Sequence, residues 1–144
     1  MRFANPPREE IDALLRRART IAVVGLSADP SRTSHAVSAA MQRYGCRVIP
    51  VNPAIDAALG ERAVPTLARL DEALRPGERV DLVNVFRRPE HVAAIVDECI
   101  ALGLPALWLQ EGVVDEAAAA RAREAGIFVV MDRCIYKDRA RLAS

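Results

Sequence analysis

Short apolar runs alternate along the chain with stretches of helical spacing. Five runs read as strands, at 20–24, 47–51, 80–85, 106–109 and 127–131. They are almost unbroken in Val, Ile, Leu and Ala, the pattern of strands covered on both faces. The intervening segments read as helices. Residues 8–18 carry Ile11, Leu14, Leu15 and Ala18 on one face, and Val37, Ala40, Met41 and Tyr44 form a second stripe that Gly45 closes. A short helix begins at Thr66 and runs over 66–75. Pro89 opens a helix whose stripe is Val92, Ile95, Val96, Cys99 and Ile100, and an Ala-rich helix over 115–125 ends at Gly126. Strand–helix alternation implies a parallel sheet with crossover helices. The expected fold is therefore α/β, a three-layer Rossmann-like domain with five parallel strands in the order 3-2-1-4-5. One domain spans 1–144, with the helix in 1–19 packing on it.

In such a sheet, ligands bind at the carboxyl ends of the strands. That rule selects Gly25-Leu26-Ser27, Asn52-Pro53, Phe86-Arg87-Arg88, Gln110-Glu111-Gly112 and Asp132-Arg133-Cys134. The first turn is suited to phosphate. Gly25 lets the backbone approach closely, Ser27, Ser31, Thr33 and Ser34 carry hydroxyls, and Ser34 is placed to cap a helix whose N-terminus favours an anion. Arg32 and Arg87 are candidate phosphate partners through the guanidinium fork. Arg88 either joins them or pairs with Glu90. Asn52 either ends its strand or hydrogen-bonds an adenine edge or ribose hydroxyl. Phe86 packs on adenine or on the core. Glu111 would repel phosphate, so it faces a ribose or holds its loop, and the Gly112 amide is free to meet a ligand. The loop is not G-x-G-x-x-G, and Asn52 stands where a ribose-binding acid would close the second strand, which argues against an ordinary NAD domain. No P-loop motif is present, and a phosphate-accepting receiver domain would need acids where Ser27 and Phe86 stand.

Composition narrows the classes. With 51% hydrophobic and 27% charged residues among 144, the chain is not disordered. A net charge of +1 lacks the basic excess of a nonspecific nucleic-acid binder. No apolar run reaches the roughly 20 residues that span a bilayer. The start of the chain does not read as a signal peptide, so Cys46, Cys99 and Cys134 are expected to be reduced thiols in the cytoplasm. Their spacing gives neither a CxxC pair nor a disulfide framework, and no His–Cys or His–Asp spacing points to a metal or a triad.

Taken in order, Ala22-Val23-Val24-Gly25-Leu26-Ser27, Ser34-His35, Pro50-Val51-Asn52-Pro53, Val85-Phe86-Arg87-Arg88-Pro89, Trp108-Leu109-Gln110-Glu111-Gly112 and Val130-Met131-Asp132-Arg133-Cys134 resemble the small bacterial CoA-binding proteins. These are stand-alone Rossmann-like domains similar to the N-terminal domain of the succinyl-CoA synthetase α subunit. The resemblance extends over about residues 20–136. It implies that coenzyme A, or an acyl-CoA, lies across the first, second and fourth strand ends, and the expectation adopted is binding without catalysis. The contact set is then Gly25, Leu26, Ser27, Ala28, Ser31, Arg32, Ser34, Asn52, Pro53, Phe86, Arg87, Gln110, Glu111 and Gly112. An Arg contact to the 3′-phosphate would make dephospho-CoA the weaker ligand. Two departures stand out. The synthetase has a Lys shortly after the Pro that follows its second strand, where this chain has Ala54 and Ile55. Its phosphohistidine belongs to a further domain with no counterpart here. The alternatives are an acyl-CoA-handling enzyme using Cys134 or His35, or a CoA-site subunit that docks on a larger ligase-like partner. The helix at 8–18 and the basic tail from 135 to 144 are candidate docking or packing elements, and self-association is left open. No nucleic-acid or membrane partner is expected.

Overall fold

A strand that is apolar at every position must be covered on both faces, and the chain does this with helices on either side of one sheet. The structure is a computed structural model that describes residues 3–142. The elements run α1 (Arg8–Arg17), β1 (Thr20–Val24), α2 (Thr33–Arg43), β2 (Arg47–Val51), β3 (Ala57–Ala58) and β4 (Glu61–Arg62). A 3-10 helix at Leu67–Glu72 leads to β5 (Leu82–Val85), and a 3-10 turn at Pro89–His91 leads into α3 (Val92–Leu102). The chain continues through β6 (Ala106–Leu109), α4 (Glu116–Glu124), β7 (Phe128–Met131) and α5 (Ile135–Ala140). Alternate strand residues sort cleanly between two cores. Ala22, Ile49, Val83, Leu107 and Val129 meet the 3-10 helix, α3 and α4. Ile21, Val48, Leu82, Trp108 and Val130 meet α1, α2 and Ile135 of α5.

The sheet is parallel and its order is β2-β1-β5-β6-β7. Counting only the five sheet strands this is 2-1-3-4-5, which corrects the expected 3-2-1-4-5. The connection after β2 returns across the sheet and sets β5 against the free edge of β1, with Val24 beside Val85. A topological switch point thus falls between β1 and β5, where loops leaving in opposite directions open a crevice. The return connection also holds the antiparallel hairpin β3–β4, unforeseen because two-residue strands carry no periodicity. The basic tail is likewise a packed element: α5 buries Ile135 and Asp138, and Asp138 holds Arg133 at 2.6 and 2.7 Å and Arg141 at 2.7 Å. Residues 143 and 144 lie outside the described residues.

Glu78 ties the amino ends of the strands together. It accepts from the Thr20 hydroxyl at 2.9 Å, from Arg47 at 2.6 Å and from the Arg75 N–H at 2.9 Å. Burial alone would raise its pKa, but the Arg75 amide, the Thr20 hydroxyl and Arg47 outweigh it and hold the carboxyl below its ordinary 4.5. A depressed folded value stabilises fully above 4.5, and that stability is lost as pH falls through the depressed value. Glu78→Gln is expected to lose about 1–3 kcal/mol at neutral pH and to show a flatter decline in acid than the wild type. Urea midpoints at neutral pH and below pH 4.5 measure this. Equal acid-side losses in the two proteins would assign the effect to another group.

Candidate ligand site

A single glycine controls how closely β1 and β5 approach at their carboxyl ends. Gly25 has φ +87°, and a Cβ there would fall inside the van der Waals shell of the Phe86 carbonyl oxygen and 2.9 Å from Cδ of Arg87. The stem of Arg87 therefore lies on the glycine, and Arg87 lines the crevice. That crevice has a volume of about 540 Å³. It is lined by Gly25, Ser27, Arg32, Thr33 and Ser34 after β1, by Phe86, Arg87, Arg88 and Pro89 after β5, by Gln110, Glu111, Gly112 and Val113 after β6, and by Cys134 after β7.

The loop from Gly25 to Ser34 is held largely by its own side chains. Ser27 N–H donates to Ser34 Oγ at 3.0 Å, Asp29 N–H to Ser27 Oγ at 3.0 Å, and both the N–H and hydroxyl of Ser31 to Asp29 Oδ1 at 2.9 Å. The Ser31 N–H bond leads, with its hydroxyl, in pulling the Asp29 carboxyl below its ordinary range. The expected helix cap at Ser34 is corrected. Helix α2 starts at Thr33 with Arg32 in the cap position and no side-chain cap, and Ser34 is buried as the acceptor for Ser27. Among the described residues, the amides of Thr33 and Ser34 have no protein acceptor, and both residues line the crevice. These are the orphan donors of a helix start, carrying the positive end of its dipole.

Of the residues expected from sequence, Gly25, Ser27, Arg32, Ser34, Phe86, Arg87, Gln110, Glu111 and Gly112 converge on this crevice. Others stand apart. The Leu26 side chain is fully buried in the core, while Ala28 and Ser31 are exposed on the loop outside the lining. Asn52 is engaged within the protein: Nδ2 donates to the Leu26 carbonyl at 3.0 Å and Oδ1 accepts the Ala54 N–H at 2.9 Å. With Pro53 it borders a separate depression at the end of β2. The Gly112 amide donates to Asp132 Oδ1 at 2.8 Å, and Glu111 pairs with Lys137 at 3.2 Å. His35 lies outside the lining, whereas Cys134 is within it and 8% exposed. Burial pushes the Cys99 thiol up to about 12 and raises that of Cys46, so both are protonated at neutral pH.

Sequence reasoning left Thr33, Arg88, Pro89 and Val113 out of the contact set. Their position beside chosen residues was the available signal. Gln110 shows what sequence could not. It is 4% exposed, and its Oε1 accepts the Ile135 N–H at 3.0 Å. An amide donor requires oxygen at that position, so the carboxamide cannot flip, and Nε2 is left as a donor with no protein partner among the described residues. Among the described residues, no group of three His, Cys, Asp or Glu is placed to hold a metal ion, and no helix is long and apolar enough to cross a membrane.

A family model described as a CoA binding domain matches residues 19–140. An uncharacterized protein of Bacillus subtilis (strain 168), YneT, is 47% identical over 131 residues, covering 91% of this chain and 93% of that protein. A solved Thermus thermophilus structure, cell-free ID.343, superposes with a TM-score of 0.86 at 38% identity, covering 95% of this chain and 99% of the other. A hypothetical protein from Pyrococcus horikoshii OT3 superposes with a TM-score of 0.87 at 28% identity, covering 100% of both.

Proposed function

The chain belongs to the CoA binding domain family, and from that premise we propose that it binds coenzyme A or an acyl-CoA in the crevice between β1, β5 and β6 and performs no bond chemistry there. The observation that carries this reading is the convergence of Arg32, Arg87 and Arg88 with the uncapped start of α2 on one crevice. Glu111, the acid in the lining, is paired with Lys137, so the local field favours an anion.

The pyrophosphate sits against the Thr33 and Ser34 amides and the Ser27 hydroxyl, with the guanidinium groups of Arg32 and Arg87 on its oxygens. The pantetheine arm runs toward Gly112, Val113 and Cys134, where Gln110 Nε2 donates to one of its carbonyls. The nucleoside leaves on the opposite side, over Leu26 toward the end of β2. The loop that carries the amide donors and the Gln110 carboxamide are held by contacts formed before any ligand arrives, so little backbone ordering accompanies binding. Calorimetry of the full chain is expected to show one CoA per chain, with affinity falling as salt rises because each charged contact is partly exposed. Failure to bind either CoA or acetyl-CoA at low salt would remove the reading.

A further inference from the structure

We propose that a small cavity where the start of α1 meets α5 binds a tetrahedral oxyanion of the phosphate or sulfate class, held by Arg8, Arg133 and Arg141. The cavity has a volume of about 90 Å³ and is lined by Asn5, Pro6, Arg8, Ile11, Arg133 and Arg141. Sites for drug-sized ligands run to roughly 300–1,000 Å³, so this one takes a compact ion and no nucleoside. It shares no lining residue with the crevice, although Arg133 precedes Cys134, which lines the crevice.

The three arginines are offset by one acid. Asp138 is 3% exposed and accepts from Arg133 at 2.6 and 2.7 Å and from Arg141 at 2.7 Å. That grip fixes both guanidinium groups and leaves donors over. Arg133 spends Nε and Nη2 on the acid and keeps Nη1, while Arg141 spends Nη2 and keeps Nε and Nη1. Arg8 enters no ion pair among the described residues. Asp12, one turn beyond Arg8, is not paired with it and lies outside the lining. Cations gathered on one cavity repel each other, and an anion between them relieves that repulsion. The backbone adds to the field. Helix α1 opens at Arg8 with no side-chain cap, and the Arg8 and Glu9 amides have no protein acceptor among the described residues. Glu9 and Glu10 stand in the same turn, but neither lines the cavity. The segment before α1 is anchored independently. The Asn5 carboxamide accepts the Met131 N–H at 2.8 Å and donates to the Met131 carbonyl at 3.0 Å, which sets Pro6 and Arg8 in place before an ion arrives.

Amide NMR of the full chain tests this, with inorganic phosphate as the probe and excess CoA present to fill the crevice. Phosphate should shift the amides of Arg8, Glu9, Arg133 and Arg141 along a saturating curve. Sulfate at equal ionic strength should shift the same amides, and chloride should not. Arg8→Ala should weaken phosphate about tenfold, the lower end for a charge-assisted contact, because Arg8 is exposed. Arg17→Ala removes the same charge from the last turn of α1 and should leave phosphate binding unchanged. Equal weakening by the two variants, a response that chloride reproduces, or the absence of saturating shifts at the four amides overturns the site. These amides lie outside the crevice, so a chain that binds no CoA overturns the CoA reading and still gives this answer.

Discussion

Gly25→Ala is expected to destabilise the protein by about 2–5 kcal/mol, the sum of a left-handed backbone penalty and overpacking against fixed atoms. At φ +87° a side chain is strained even in open space. Here the added methyl also meets the Phe86 carbonyl oxygen, which belongs to backbone and cannot rotate away. Gly45→Ala separates the two effects. Gly45 has a similar φ of +97°, but nothing lies within 4 Å of its would-be Cβ. It should lose only about 1–2 kcal/mol. Urea and thermal unfolding of both variants give the comparison, and equal losses would show that the approach of β1 to β5 tolerates a methyl group.

Arg87→Glu is expected to weaken CoA binding by about a hundredfold or more. It deletes a charge-assisted bond of roughly 1.5–3 kcal/mol and adds a like charge beside the pyrophosphate. Stability should change little, because the head of Arg87 forms no ion pair among the described residues. Arg88→Glu, at a more exposed position on the rim, should weaken binding less. Calorimetry at two salt concentrations reads both variants, and an Arg87→Glu protein with wild-type affinity would exclude Arg87 from the anion site. The two predictions meet at one contact. The stem of Arg87 rests on Gly25, so a methyl there displaces the guanidinium as well as the strand. Whatever folded Gly25→Ala protein survives should therefore also bind CoA poorly.

Much of this molecule was written in local pattern. The five strands, the helices between them and the two-sided core follow from unbroken apolar runs and from stripes such as Val92, Ile95, Val96 and Cys99, because periodicity and propensity act over a few residues. The strand-end rule, with the hydroxyls and the cation of the loop after β1, points to nine of the crevice residues. What local pattern does not carry is who stands beside whom. Whether β5 lies outside β2 or against β1 depends on how a long connection packs back onto the sheet, and only that pairing brings Phe86 and Arg87 onto Gly25. The same holds for side-chain allegiance. Ser34 and Asn52 carry groups that suit a ligand, yet the fold spends them on Ser27, Leu26 and Ala54. Arg8 looks like any surface arginine until α5 packs beside α1 and brings Arg133 and Arg141 to the same cavity. The chain itself determined the elements and their buried faces; the tertiary structure decided the neighbours, since a contact between distant residues exists only once the segments between them have found their place.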